Sequence, residues 1–256
     1  MTKVGLQLYT VREHLEQDFE GTLRKIAGLG YQGVEFAGYY GRTKEEVRSL
    51  LEETGLAAIG THTSLDRLKN HLQEEIEFNK FIGNRNLVIP YVIEEDRSRW
   101  PEIIADIRNI GEACAAEDMV LLYHNHDFEL TQKLEDRPVL DAIYEQVPAS
   151  LVQVELDSCW VHYAGYDPVE YVRKYTSRLL LLHLKDVKRR EDGSPETVEL
   201  GAGEVDVKRI ADAGIAAGVK WLIVEQDFSA KGALDSISIS MDWLKAYQTG
   251  GGNIHV

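Results

Sequence analysis

Cysteine is nearly absent. The 256 residues hold two, Cys114 and Cys159, with nothing around them spaced as a zinc cluster or a disulfide framework. Cys114 sits in a helical pattern, IRNIGEACAAED, and reads as a small buried apolar residue. Basic charge is also short: 28 Lys and Arg stand against 43 Asp and Glu, a net charge of −15. That balance argues against a phosphate-backbone partner, so no nucleic acid is expected. No apolar run approaches the roughly 18 residues that suggest a membrane span. The N-terminus, MTKVGLQLYT, enters a strand without a leader, which gives the expectation of a soluble cytoplasmic protein with no membrane partner. Low-complexity sequence and linkers are missing before the last seven residues. A single domain over 1–249 follows, with a tail over 250–256.

Short strand-like runs alternate with helix-like ones along the whole chain. Val4–Tyr9, Gly33–Phe36, Ala57–Thr61, Asn86–Pro90, Val120–His126, Val152–Leu156, Leu179–His183 and Trp221–Glu225 read as strands. Between them lie helical patterns with their own stop and start signals. Leu15–Leu29 ends at Gly30, Thr43 and Glu46 form a capping-box pattern, and Asp167-Pro168 opens a helix to about Tyr175. Asp192-Gly193-Ser194-Pro195 reads as a polar loop. Eight strand–helix repeats with no composition break predict an α/β fold, the (β/α)8 TIM barrel. A doubly wound open sheet is the other α/β solution, but the turn after the first strand, GLQLYTVRE, lacks its Gly-rich phosphate signature.

The predicted strands end in chemistry. In a parallel barrel the carboxyl ends of the strands converge on one mouth, where active sites sit. Gln7, Glu35, His62, His124 and His126 fall there from the first half of the chain. Glu129, Asp157, His183, Lys185, Asp186 and Glu225 follow from the second. Any one of them has an ordinary structural explanation, but apolar strands have no structural reason to end so often in His, Asp and Glu. Buried carboxylates are costly unless paired or bound to a metal. Mixed carboxylate and imidazole donors without a thiolate suit one divalent ion, Mn²⁺ first, with Zn²⁺, Co²⁺ or Mg²⁺ as alternatives. Such an ion would polarise a carbonyl while neighbouring groups move a proton at the adjacent carbon.

Four stretches in order, VELDSCWVHYAG with YDP, LLLHLKD, GAGEVD and WLIVEQD, resemble the xylose isomerase-like barrel superfamily. The likeness is to its sugar phosphate isomerase/epimerase branch, which includes ketose 3-epimerases and inosose dehydratases. It runs from GLQLYTVRE to the last helix. It implies one metal held by Glu, Asp, His and Glu at the ends of strands five to eight, with Asp157, His183 and Glu225 in three of those places. At the first place this chain has His124, in YHNHDFE. His124 and His126 share one strand face, so either supplies the ligand, and Glu129 is placed to supply the missing carboxylate. Trp160 stands where the family's Asp-x-x-His motif has its histidine, which favours one metal over a cluster and offers an aromatic face to a sugar. The resemblance assigns Glu35, His62 and Arg189 to the substrate, with Lys185 in the same basic stretch suited to a phosphate.

The expected protein is thus a metal-dependent isomerase or epimerase acting on a keto-sugar or sugar phosphate. Glu225, with Glu129 or one of the histidines at 124 and 126, would take and return a proton. If the enediolate instead expels a β-hydroxyl, the same site is a dehydratase for an inosose or 3-keto-sugar. A barrel that binds sugar without turnover is the reading from another class. An endonuclease for abasic DNA is disfavoured by Trp160 and the net charge. The partner is a small sugar, and a homo-oligomer is compatible with the chain.

Overall fold

The computed structural model describes residues 1–256. Eight parallel strands close on themselves. They are β1 (Thr2–Gln7), β2 (Gly33–Phe36), β3 (Ala57–His62), β4 (Asn86–Ile89), β5 (Val120–His124), β6 (Gln153–Asp157), β7 (Leu179–Leu184) and β8 (Trp221–Val224). Each pairs with the next, and β8 returns to β1 with Lys3 opposite Trp221. Helices surround this sheet, giving the (β/α)8 barrel implied by the alternation of the sequence. None is long and apolar enough to cross a membrane.

Local signals act as their chemistry dictates. The Glu46 N–H donates to Thr43 Oγ1 at 3.2 Å while the Glu46 carboxylate accepts from the Thr43 N–H at 2.8 Å, so the capping box is reciprocal. The expected Leu15–Leu29 helix differs: it is split into Arg12–Gln17 and Phe19–Leu29. Asp18 breaks it because its carboxylate accepts the Gly21 N–H at 2.9 Å, a bond available to an N-cap and not to an interior residue. The polar loop expected at Asp192–Pro195 is the turn of a hairpin, with Asp186–Arg189 against Pro195–Val198, so only Pro195 passes from loop to strand. The tail is held, since Ile254–His255 pairs beside Thr2–Lys3 and Ile254 is buried.

Inside the barrel, Val120, Leu180 and Trp221 pack against a layer of Ile59, Val88, Leu122, Leu181 and Ile223. That apolar plug closes one end. Two residues further along their strands, on the same face, stand His124, His183 and Glu225, which turns the next layer polar. His62 reaches this layer by a different route. The pairing of β2 with β3 skips from Ala58 to Gly60, so Ile59 is an extra residue and the alternation is reset. Gly60 then permits the close approach of Glu35, because a Cβ there would lie 2.5 Å from Glu35 Oε1.

Asp186 is a strand-end acid with a structural task. Its carboxylate accepts the backbone N–H groups of Val187 (2.9 Å), Gly201 (3.0 Å), Gly203 (2.8 Å) and Val205 (3.0 Å), pinning the GAGEVD loop. Asp186→Ala is expected to lower the unfolding free energy by about 2–4 kcal/mol, since several buried N–H groups lose their acceptor. Chemical denaturation reads this directly, and an unchanged midpoint would show that the loop holds itself.

Candidate metal centre and active site

Four side chains from consecutive strand ends meet in the polar layer: His124, Asp157, His183 and Glu225, all buried, with one donor atom from each lying within 4.8 Å of the others. Asp157 divides its two oxygens. Oδ1 caps the helix that starts at Ser158, accepting from the Cys159 N–H at 2.9 Å and the Trp160 N–H at 3.1 Å. Oδ2 is buried, with Lys185 Nζ at 3.0 Å and His124 Nε2 at 3.8 Å. Asn125 fixes the strand end by accepting the Asp157 N–H at 3.0 Å. A carboxylate oxygen that no backbone group uses, among two imidazoles and a second carboxylate, fits a divalent ion. Metal–ligand bonds of about 2.0–2.2 Å place tetrahedral donors roughly 3.3–3.6 Å apart, so the widest-set donors would draw in by about 1 Å. Of the two histidines left open by the sequence, His124 is the one brought into this set.

Two further carboxylates orient the imidazoles. Glu155 Oε1 lies 2.7 Å from His62 Nε2, 3.0 Å from His124 Nδ1 and 3.2 Å from His183 Nε2. Glu35 Oε2 lies 2.8 Å from His183 Nε2 and accepts from Gln7 Nε2 at 2.9 Å. Those contacts leave His124 Nε2 and His183 Nδ1 as the nitrogens that face the donor set. Carboxylates behind ligating histidines fix ring orientation and tautomer. Glu35, expected to touch substrate, is therefore placed behind His183, fully buried. Glu155 is absent from the sequence-based candidates, although the alternation in VELD puts it on the same face as Asp157.

Lys185 lies among the acids. Its Nζ is 2.7 Å from Glu225 Oε2, 3.0 Å from Asp157 Oδ2 and 3.0 Å from Asp227 Oδ2, and the side chain is buried. The expectation of a substrate contact is corrected to this extent: the ammonium faces the carboxylates of the donor set. Burial pushes the Glu225 carboxyl up, but Lys185 and His183 outweigh it and hold it well below the usual range. Burial lowers His124 well below its ordinary value, so the ring is neutral, the form that ligates. Burial would also lower His62, yet Glu35 and Glu155 outweigh it and hold it protonated up to about 10.

Above this layer opens a cavity of about 450 Å³, lined by Tyr9, His62, Tyr91, His126, Glu225 and Asp227 among others. His126 is half-buried, its Nδ1 has no partner, and its ring stacks on Trp160 with centroids 5.6 Å apart. Burial, then Lys185, pushes its pKa down to about 3, so it is a neutral ring. Arg189 lines neither this cavity nor the donor set: it lies exposed over the Tyr163 ring and donates to the Tyr163 carbonyl at 2.5 Å.

The role expected of Glu129 needs correction. One of its oxygens accepts from Tyr123 OH at 2.7 Å and the other from the His126 N–H at 2.8 Å, so it staples the turn after β5 and does not join the donor set. Burial raises its pKa from 4.5 to about 7. The folded state thus holds a proton that the unfolded chain releases, and the resulting stability is fully present below pH 4.5 and lost as pH rises through about 7. Glu129→Gln is expected to flatten this part of the stability profile, by on the order of 3 kcal/mol between those limits. Unfolding curves at stepped pH that run parallel for both proteins would refute it.

A family model described as Xylose isomerase-like TIM barrel matches residues 23–247. The inosose dehydratase of Clostridium perfringens (strain 13 / Type A) is 23% identical over 201 residues, which is 69% of this chain and 66% of that protein. The chain therefore spans just under two thirds of that relative's length. Among solved structures, a sugar phosphate isomerase/epimerase from Parabacteroides distasonis ATCC 8503 has a TM-score of 0.82 at 22% identity, over 96% of this chain and 98% of that one. A probable 3-DHS dehydratase from Bacillus anthracis has a TM-score of 0.75 at 16% identity, over 95% and 99%. At such identities the likeness to solved structures carries the fold.

Proposed function

The chain belongs to the xylose isomerase-like TIM barrel family, and on that premise we propose that it is a divalent-metal-dependent enzyme moving a proton beside the carbonyl of a keto-sugar or inosose. His124, Asp157, His183 and Glu225 would hold the ion. When bound, it would polarise the carbonyl and acidify the neighbouring C–H. The observation that carries the reading is the split in protonation across one cavity. Glu225 is held ionised and His62 is held protonated, and both line the same space. Titratable pairs whose environments push them apart mark base and acid.

Glu225 takes the proton from carbon. His62 has Nε2 committed to Glu155 and Glu35, and its Nδ1 has no protein hydrogen bond, so it has a donor free for an oxygen in the cavity. His126, backed by Trp160, forms an aromatic wall for the ring. We favour elimination: Glu225 accepts the C–H proton, the C–O bond at the β-carbon breaks, and His62 protonates the departing hydroxide to water. The relatives named as dehydratases support this branch, as does a neutral His124 in place of an acid/base carboxylate. Return of the proton to the same carbon would make the chain an epimerase, the branch the sequence puts first.

NMR in D₂O separates the two. Mn²⁺-loaded protein incubated with ketoses, 3-keto-glucosides and inososes is expected to incorporate deuterium beside the carbonyl of one of them and form an unsaturated product. Deuterium in an epimer without loss of water would select the epimerase branch. Metal-loaded protein that exchanges nothing would overturn the proposal.

A further inference from the structure

Beside the cavity above the donor set lies a second one, about 410 Å³, lined by Trp160, Arg190, Glu196, Thr197, Asp227 and Phe228 among others. The two are linked twice. Asp227 lines both, and the His126–Trp160 stack puts one ring on each, His126 on the first and Trp160 on the second. Each lobe falls within the range of about 300–1,000 Å³ typical of ligand pockets. Together they have room for two rings. Resting on the keto-sugar reading, we infer that the second lobe is a subsite for a neutral ring joined to the reacting one, so that the substrate is a glycoside or disaccharide and not a free monosaccharide or sugar phosphate.

Three observations lead to a neutral ring. Phe228 is 58% exposed at the rim, yet its backbone is held rigidly: the Phe228 N–H donates to Thr197 Oγ1 at 3.0 Å, and the same hydroxyl donates to the Phe228 carbonyl at 3.0 Å. A pinned, exposed aromatic in the same lobe as Trp160 presents a face for the C–H surface of a sugar or for an aryl group. Next, one polar atom at the joint between the lobes is left over. Trp160 Nε1 makes no protein hydrogen bond and is a donor of the kind a hydroxyl group uses, while Asp227 Oδ2 is held by Lys185 Nζ at 3.0 Å. Finally, the nearby guanidinium groups are engaged. Arg190 lies 3.5 Å from Glu196, Arg12 donates to the carbonyls of Tyr9 and Asp227, and Arg189 is taken by Tyr163. Arg190 is thus paired with Glu196, and Lys185 with Glu225 and Asp227, so neither cation is free for a phosphate.

Saturation-transfer NMR and calorimetry on the Mn²⁺-loaded protein test this with glucose, cellobiose, phenyl β-glucoside and glucose 1-phosphate. Transfer is expected to the second ring of cellobiose and to the phenyl group, with both binding tighter than glucose or the phosphate. Phe228→Ala, at an exposed position, is expected to weaken the two-ring ligands about five- to tenfold and leave glucose unchanged. Equal affinity for one and two rings, tighter binding of the phosphate, or no effect of Phe228→Ala overturns the subsite. The readout is binding without turnover. Second-ring contacts without deuterium exchange would retire the enzyme reading and keep the subsite, and the reverse result would do the opposite.

Discussion

Glu225→Gln is expected to lower deuterium exchange by about 10²–10⁴-fold at saturating metal, the range for loss of a positioned general base. The glutamine keeps the shape and one oxygen for the cation but has no lone pair basic enough for a carbon acid. It also removes the charge that Lys185 faces at 2.7 Å, so a modest loss of metal affinity accompanies the rate effect. Measuring exchange across a Mn²⁺ titration separates the two. A rate that recovers fully with excess metal would show that Glu225 serves as a ligand only. In the native protein the acid limb of the rate profile is expected well below the usual carboxylate range, because Lys185 and His183 overcome the effect of burial.

The second large effect is expected at Glu155, which stands behind the histidines. Its Oε1 lies within hydrogen-bonding distance of His62, His124 and His183, and the carboxylate is fully buried. Glu155→Gln removes the charge, and an amide oxygen with two lone pairs serves at most two of the three rings. Metal affinity is expected to fall about 10–100-fold, as for other outer-shell partners of ligating histidines. His62 would also lose one of the two carboxylates that keep it protonated, so the basic limb of the rate profile should move to lower pH. Competition with a fluorescent chelator measures the first effect and a pH–rate series the second. Native-like affinity in the variant would mean that packing alone orients His124 and His183.

Much of the site was legible along the chain because strand periodicity carries it. With side chains alternating, an inward Leu122, Leu181 or Ile223 implies an inward His124, His183 or Glu225 two residues on. The same parity applied to VELD would have identified Glu155 from Asp157, and that signal went unused. His62 obeys no such count, since the extra residue at Ile59 resets its strand, and bulges have no reliable signature in a single sequence. Glu129 illustrates another limit. Its position in the chain suited a missing ligand, but Tyr123 OH and the His126 N–H were nearer partners for both of its oxygens.

By itself the sequence determined the alternating α/β plan, the closed barrel and the end of it that bears the chemistry, because hydrophobic periodicity and helix caps act over a few residues. It also determined which residue types meet there. Only the tertiary structure decided which donor atoms converge, that Glu35 and Glu155 stand behind the histidines, and that Lys185 faces the acids. Those choices depend on distances of about 3 Å between residues far apart in the chain. The same is true of charge, since Glu225 is ionised and His62 protonated through neighbours brought in from other strands.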